Sequence, residues 1–259
     1  MNEISVVLPA YNEEENIQKL VKRWQQLCKD LKYKYELSLN IFVIDDGSKD
    51  KTEVIGRELE RKYDNFYLIK HDKNKGLGEA INTGIKYVME KRSDSKYVCI
   101  MDCDNTQDPR YVFSMIEKME KTDVVIASRY QKGSCVKGVP FFRLTASYGA
   151  RFVYTIFLGV KNVRDYTCGY RLYRTSALKT AFKVFGESFI EESGFTCMVE
   201  LLYKLNICGA VFKEVPFTLR YDFKGGVSKM KVLITAINSV KLTLRLKKIR
   251  KGVEPVLED

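Results

Sequence analysis

The sequence lacks any run of the ~18 to 20 apolar residues that a membrane-spanning helix needs. The closest stretch, Leu144 to Val160, is broken by Arg151, which suits a buried or interfacial helix better than a spanning one. No C-x-x-C pair occurs among the seven cysteines, which are odd in number and scattered at Cys28, Cys99, Cys103, Cys135, Cys168, Cys197 and Cys208. That distribution argues against a zinc site and a disulfide framework. Several of these thiols sit in apolar runs, where cysteine acts as a small hydrophobe, and a reducing, cytosolic compartment is the expectation. A charged-then-apolar leader is missing ahead of Ile4, so no signal peptide is expected.

Two nucleotide signatures are also absent. No G-x-x-x-x-G-K-[ST] loop occurs, and no G-x-G-x-x-G follows the first apolar run, which argues against a P-loop enzyme and a dinucleotide-binding dehydrogenase. Acidic residues are outnumbered, 33 against 44 Lys and Arg, giving a formal charge of +11. That excess favours an anionic partner such as a nucleotide, a phospholipid or a nucleic acid. Nucleic acid is not expected among these, because neither a recognised module nor a dense basic run beside aromatics appears in residues 1–220.

What is present suffices for one large α/β domain: 259 residues, 45% of them hydrophobic. β-rich runs alternate with amphipathic stretches through the first half. Ile4 to Leu8 is followed by a helix pattern from Glu13 to about Leu31, then Leu39 to Ile44, a polar helix from Asp50, and Phe66 to Ile69. A helix from Gly76 to about Lys91, Tyr97 to Met101 and Val124 to Ala127 continue the series. This order predicts a mostly parallel central sheet flanked by helices, with strands that read as continuous apolar runs because both faces are covered. The second half is less regular, and no proline- or glycine-rich linker separates it from the first.

In such a sheet, ligands meet the carboxyl ends of the strands. The first run ends in Pro9-Ala10-Tyr11-Asn12-Glu13, the second in Asp45-Asp46-Gly47-Ser48 and the fourth in Asp102-Cys103-Asp104. Two carboxylates at i and i+2 beyond a strand can share a hard divalent cation, manganese or magnesium, with diphosphate oxygens completing the shell. Four clustered aspartates require compensating positive charge, from a metal or from Arg and Lys. Asp46-Gly47-Ser48 also suits a turn and Asp50 a helix cap, while a carboxylate there can accept the N–H of a uracil or guanine base. Lys73-Asn74-Lys75-Gly76-Leu77-Gly78 opens a helix, where backbone N–H groups and lysines approach anions. The lone His71 reads as structural.

These segments, with Ser128-Arg129-Tyr130, resemble the ordered signature of glycosyltransferase family 2, a GT-A fold. Later segments resemble its polyprenol-phosphate (dolichol-phosphate) mannose synthase branch: Phe142-Arg143, Thr167-Cys168-Gly169-Tyr170-Arg171, Val215-Pro216-Phe217 and Arg220 before Gly225-Gly226-Val227-Ser228-Lys229-Met230. The resemblance implies an inverting transferase moving a hexose, mannose favoured, from a nucleotide-diphosphate sugar to a polyprenyl phosphate. The alternative is transfer of a hexose or N-acetylhexosamine to a hydroxyl of a surface glycan. By the same resemblance Pro9, Tyr11, Glu13, Asp46, Lys75, Gly76 and Cys103 line the donor pocket, and Asp102 and Asp104 hold metal and diphosphate. Arg129 serves catalysis at the phosphates, and Arg143, Arg220 and Lys229 bind the acceptor. Two departures stand out: the Gln often found two residues after the second aspartate is shifted by one, to Gln107 behind Thr106, and Glu191-Glu192 occupies the region of the family's catalytic carboxylate.

Residues 1–227 are expected to form the transferase domain and 228–259 a basic amphipathic helix and tail. In that helix Leu233, Ile237, Val240 and Leu244 share one face, and Lys241, Arg245, Lys247, Lys248, Arg250 and Lys251 supply charge for anionic headgroups. Leu242, Leu246 and Ile249 lie on another side and suit packing on the domain. The expected site of action is cytoplasmic, peripheral to a membrane's cytoplasmic face.

Overall fold

The computed structural model describes residues 2–223 and 232–252. In chain order its strands are β1 (Asn2–Ala10), β2 (Leu37–Asp45), β3 (Phe66–Lys70), β4 (Ser95–Ile100), β5 (Val124–Ser128), β6 (Cys135–Lys137), β7 (Arg171–Arg174), β8 (Phe212–Pro216) and β9 (Thr218–Arg220). The helices are α1 (Ile17–Gln25), α2 (Cys28–Tyr35), α3 (Thr52–Lys62), α4 (Leu77–Lys91), α5 (Tyr111–Ile116), α6 (Phe141–Leu158), α7 (Thr175–Phe185), α8 (Cys197–Ile207) and α9 (Val232–Gly252).

Seven strands form one sheet in the order β3-β2-β1-β4-β7-β5-β8, and β6 pairs with β9 in a separate two-stranded ribbon. All neighbours in the large sheet are parallel except β7, which runs antiparallel to both β4 and β5. The prediction of a mostly parallel sheet between helices is met. Val6, Val7, Leu8, Ile41, Phe42, Val43 and Ile44 are all fully buried, as expected of central strands covered on both faces. On the helices the apolar period is three and four: Ile17, Leu20, Val21 and Trp24 are the buried side chains of α1.

The structure departs from the sequence pattern in a few elements. The single helix expected over 13–31 is two, because the Leu27 N–H turns back to the Trp24 carbonyl (2.9 Å) and starts a new axis. Helices α5 and α7 and the short strand β6 were not separated from their surroundings by periodicity. All seven thiols are free. Among the described residues no helix is long and apolar enough to cross a membrane.

Helix α9 lies on α6 and α8. Its Leu242 and Leu246 are buried while Val240 and Leu244 are 53% and 59% exposed. Burial of two leucines contributes about 1.5 to 3 kcal/mol each, so this helix is seated on the sheet domain.

Candidate active site

The carboxyl ends of β2, β1 and β4 lie side by side. Ala10 pairs with Asp45 across β1 and β2, Val7 pairs with Ile100 across β1 and β4, and the Met101 N–H reaches the Val7 carbonyl. The loops that follow these strands therefore converge at one edge, as the parallel order requires.

The loops after β1 and β2 are laced together. Ser48 Oγ accepts the Asn12 N–H (2.9 Å), Thr52 Oγ1 accepts the Glu13 N–H (2.8 Å), and Asn12 Oδ1 accepts the Lys49 N–H (2.8 Å). Asp50 was expected to cap α3, but the N-cap is Lys51 and makes no side-chain cap bond; Asp50 lies one residue earlier, its Oδ1 accepting the Thr52 N–H at 2.9 Å. Gly47 adopts φ +68°, and a Cβ there would stand 2.4 Å from the Lys73 carbonyl carbon, so only glycine lets the 73–74 backbone approach this turn.

Asp46 is the hub of that approach. One carboxylate oxygen accepts the Lys75 N–H and meets His71 Nδ1, both at 2.8 Å, and the other accepts the Gly76 N–H at 2.8 Å. His71 Nε2 lies 3.0 Å from Thr83 Oγ1, so the histidine read as structural links Asp46 to α4. Backbone N–H groups and an imidazole thus satisfy the Asp46 carboxylate, which can accept several such bonds at once. Its neighbour Asp45 is fully buried; Oδ1 accepts the Ser48 N–H while Oδ2 has no hydrogen-bond partner.

Beyond β4, Asp102 Oδ2 accepts a 2.8 Å bond from Gln107 Nε2, and Asp104 Oδ1 accepts from Thr106 Oγ1 at 2.7 Å. Asn105 takes φ +60°, the tight turn that lets both carboxylates leave the strand end together. The one-residue shift of Gln107 does not remove it from the acidic pair. Its Oε1 is buried without a hydrogen-bond partner. Among the described residues no group of three His, Cys, Asp or Glu side chains could hold a metal. A cation at Asp102 and Asp104 therefore depends on oxygens from elsewhere, from the Gln107 amide or from a bound diphosphate. The donors are hard oxygens throughout, which fits Mn2+ or Mg2+ and not a soft ion.

Asp102 and Asp104 open onto a cavity of about 250 Å3. Its lining also includes Arg129 and Thr167, with Val136, Leu144, Ala150, Val199, Phe217 and Leu219 among the apolar contributors. Arg129 is gripped by Asp165, with Nε and Nη2 at 2.8 and 2.6 Å from the two carboxylate oxygens, and Nη2 also donates to Thr167 Oγ1. Burial would raise the Asp165 carboxyl, but the Arg129 guanidinium outweighs it and holds the group below its ordinary value. Burial likewise works against the Arg129 charge, and Asp165 more than restores it. The Arg151 guanidinium sits 4.6 Å from the centre of the Tyr130 ring, which also lines this cavity.

Of the sequence-predicted residues, Asp102, Asp104 and Arg129 meet at the cavity. Pro9, Tyr11, Glu13, Asp46, Lys75 and Gly76 lie at the neighbouring strand ends and are not part of its lining, and Cys103 is buried beneath the acidic pair. Arg220 flanks it: its N–H donates to the Thr106 carbonyl (2.9 Å) and its guanidinium is clamped by Asp222 and stacked 3.7 Å over Phe223. Lys229 and the side chain of Arg143 lie outside the described residues. Sequence reading missed Asp165, because its partner Arg129 is 36 residues away. It also passed over Gln107 as a partner of Asp102, although the shifted glutamine was noticed.

A sequence model described as Glycosyl transferase family 2 matches residues 5–182. The dolichol-phosphate mannosyltransferase of Pyrococcus furiosus is 32% identical over 230 residues, 88% of this chain and 59% of that protein. The polyprenol monophosphomannose synthase of Mycolicibacterium smegmatis is 30% identical over 227 residues, 87% of this chain and 80% of that one. This chain thus spans under two thirds of the Pyrococcus protein. Among solved structures, glucosyl-3-phosphoglycerate synthase from Mycobacterium tuberculosis, bound to Mn2+, UDP and glucosyl-3-phosphoglycerate, superposes with a TM-score of 0.63 at 18% identity, covering 98% of this chain and 82% of that one. S. aureus TarS 1-349 in complex with UDP-GlcNAc gives a TM-score of 0.58 at 18% identity, covering 100% and 68%. At such identities the likeness concerns the fold, which is GT-A.

Proposed function

The chain belongs to glycosyl transferase family 2, and from that premise we propose that it is an inverting, metal-dependent hexosyltransferase that moves mannose from a nucleotide-diphosphate sugar to a polyprenyl phosphate. The observation that carries this reading is the cavity onto which Asp102 and Asp104 open, lined both by charged groups, Arg129 among them, and by apolar side chains such as Val136, Leu144, Val199 and Phe217. A phosphate with a hydrocarbon tail combines the same two chemistries. The two named relatives, a dolichol-phosphate mannosyltransferase and a polyprenol monophosphomannose synthase, support the same donor sugar and acceptor class.

Asp102 and Asp104, with Gln107 beside them, would hold Mn2+ or Mg2+, and the ion when bound would neutralise charge on the departing diphosphate. The strand-end loops that Asp46 organises would seat the nucleotide, with Pro9, Tyr11, Glu13, Lys75 and Gly76 at its edge and the Cys103 backbone between the two aspartates. Arg129, fixed by Asp165 in one orientation, would present a preorganised positive group to developing phosphate charge. Arg143, Arg220 and Lys229 would steer the acceptor phosphate.

A phosphate acceptor is ionised at neutral pH and needs no general base. A hydroxyl acceptor needs one, and the candidates Glu191 and Glu192 are both engaged in ion pairs with Arg245, Glu191 also with Lys204. Their engagement favours the phosphate over the surface-glycan hydroxyl.

Residues 1–227 would be the transferase domain and 228–259 an appended basic helix and tail, of which α9 rests on α6 and α8. Phe141, Tyr148, Phe152 and Ile156 are exposed on α6, and Val240 and Leu244 on α9. Lys241, Lys247 and Lys248 stand on the same helix α9, also exposed. Together they suit peripheral contact with anionic lipid at the cytoplasmic face of a membrane, where a long prenyl chain would be met. A donor screen with GDP-mannose, UDP-glucose and UDP-N-acetylglucosamine against a short polyprenyl phosphate tests the assignment. Transfer from GDP-mannose in the presence of Mn2+ is expected; selective use of a UDP-sugar would overturn the mannose assignment.

A further inference from the structure

Behind the candidate site, five ionisable side chains meet that neither donor nor acceptor chemistry uses. Glu200 and Lys204 lie one turn apart on α8, both fully buried, with Lys204 Nζ 2.8 Å from Glu200 Oε1. Glu200 Oε2 accepts the backbone N–H groups of Glu191 (2.9 Å) and Glu192 (2.8 Å). Arg245 reaches in from α9, its Nη2 2.8 Å from Glu200 Oε1 and 3.0 Å from Glu192 Oε1, and its Nη1 3.9 Å from Glu191 Oε2. Lys204 completes the group at 3.3 Å from Glu191 Oε2. Three carboxylates thus face two cations, and one of those cations arrives on the C-terminal helix.

The segment held by this cluster touches the site on two sides. The Ser193 carbonyl accepts the Gly78 N–H at 3.1 Å, and a Cβ on Gly78 would stand 1.8 Å from the Glu192 carbonyl oxygen. The first turn of α4, which follows the Lys75-Gly76 pair bound by Asp46, is therefore laid directly on residues 192–193. On the other side, Phe195 and Thr196 line the cavity that Asp102 and Asp104 open onto.

We propose that Arg245 is a positioning residue for sugar transfer: from α9 it holds Glu191–Thr196 against the start of α4 and the cavity, and so ties donor binding to the seating of the C-terminal helix. The proposal rests on the transferase reading above. Without Arg245, three carboxylates would face Lys204 alone, with Glu200 fully buried. An uncompensated buried charge is strongly unfavourable, and repulsion is relieved most cheaply by the less buried carboxylates, Glu191 at 40% and Glu192 at 20% exposed, turning out to water, Glu192 giving up its bond to Thr196 Oγ1. That movement draws Ser193 away from Gly78 while the sheet stays intact.

The test uses the full chain as Arg245→Ala, Arg245→Lys and the double variant Arg245→Ala with Glu192→Gln, each with its melting temperature. Donor KM and kcat are measured with GDP-mannose, Mn2+ and a short polyprenyl phosphate, well below the melting point. Hydrogen exchange over residues 74–80 and 189–196 is read alongside. For Arg245→Ala the expectation is a donor KM raised roughly tenfold, the size of one coupling between neighbours, with faster exchange in both segments and unchanged exchange over residues 2–10. The lysine variant should fall between, and the double variant should recover most of the loss because one repelling charge is gone. An Arg245→Ala protein with a lower melting temperature but wild-type donor KM and exchange would overturn the proposal, as would a double variant no better than the single one. A wild-type chain that transfers no sugar would refute the transferase reading instead, and the exchange measurements would still decide the positioning claim. Should Arg245→Ala fail to fold, the lysine variant carries the same comparison, with unchanged KM and exchange contradicting it.

Discussion

The two sides of the site are built by different physics. On the donor side, the ends of β1 and β2 are held by short bonds between backbone N–H groups and nearby side chains, with Asp46 taking the Lys75 and Gly76 amides. Around the cavity and behind it, position is set by ion pairs between residues far apart in the chain, Arg129 with Asp165 and Arg245 with Glu192 and Glu200. Amide donors cannot be titrated or screened away, whereas ion pairs depend on both partners and on exclusion of water. The ion-paired region should therefore lose more when one partner is removed than the strand-end loops lose with any single amide bond.

The largest effect should come where both sides meet. Asp104→Ala removes a proposed metal ligand, and turnover should fall by at least about a hundredfold, the scale of losing one charge-stabilising contact. Asp104 Oδ1 takes the Thr106 N–H and hydroxyl within its own loop, so the melting temperature should barely move; near-normal turnover at saturating Mn2+ would contradict this.

Next is Asp165→Ala, which strands the Arg129 guanidinium and should cost roughly 3 to 5 kcal/mol of stability, measured by denaturant unfolding. Its pH dependence sharpens the comparison. The folded-state Asp165 carboxyl lies below its ordinary value of 3.8. Its contribution is therefore full above that value and is lost as pH falls through the lower, folded-state value. Asp165→Asn should lack that component of acid destabilisation. An identical acid limb in wild type and Asp165→Asn would show that the pair contributes nothing there.

A smaller effect is expected at Arg220, which is exposed and already shared with Asp222. Arg220→Ala, like Lys229→Ala, should raise the acceptor KM by about tenfold, the loss of one charge-assisted contact, while donor affinity by calorimetry stays constant. Equal loss of donor affinity would move these residues to the nucleotide. The smallest effect concerns lipid. Replacing the exposed Lys241 by Ala should weaken binding to anionic liposomes by about 1 kcal/mol and leave transfer to a water-soluble acceptor intact. Deleting residues 230–259 is the harsher probe, because it also removes the buried Leu242 and Leu246, so a loss of stability is expected with it.

The same contrast explains what was legible in the sequence. Donor-side residues sit in contiguous motifs at strand ends, where the apolar run, the turn residues and the acids follow one another within a few positions. Asp102, Asp104 and the sheet order could be read for that reason. Asp165, Glu200 and Arg245 carry no local mark: each is an ordinary charged residue until the fold supplies a partner. Arg245 in particular reads as one more surface cation in a basic helix, and only the packing of α9 on α8 turns it inward. Likewise the break between α1 and α2 depends on where Leu27 must pack, which the helix period of residues 13–31 does not reveal.

The central claim is that the acceptor's reacting group is a phosphate held in the cavity onto which Asp102 and Asp104 open. Wild-type protein, GDP-mannose and Mn2+ should be incubated in parallel with a short polyprenyl phosphate and with the same polyprenol lacking phosphate, and the products identified by mass and anomeric configuration. The account predicts a β-configured mannosyl phosphate from the first, inverted relative to an α-linked donor, and no mannosylated product from the second. Transfer to the alcohol, or to a glycan hydroxyl, with the phosphate left unused would contradict it.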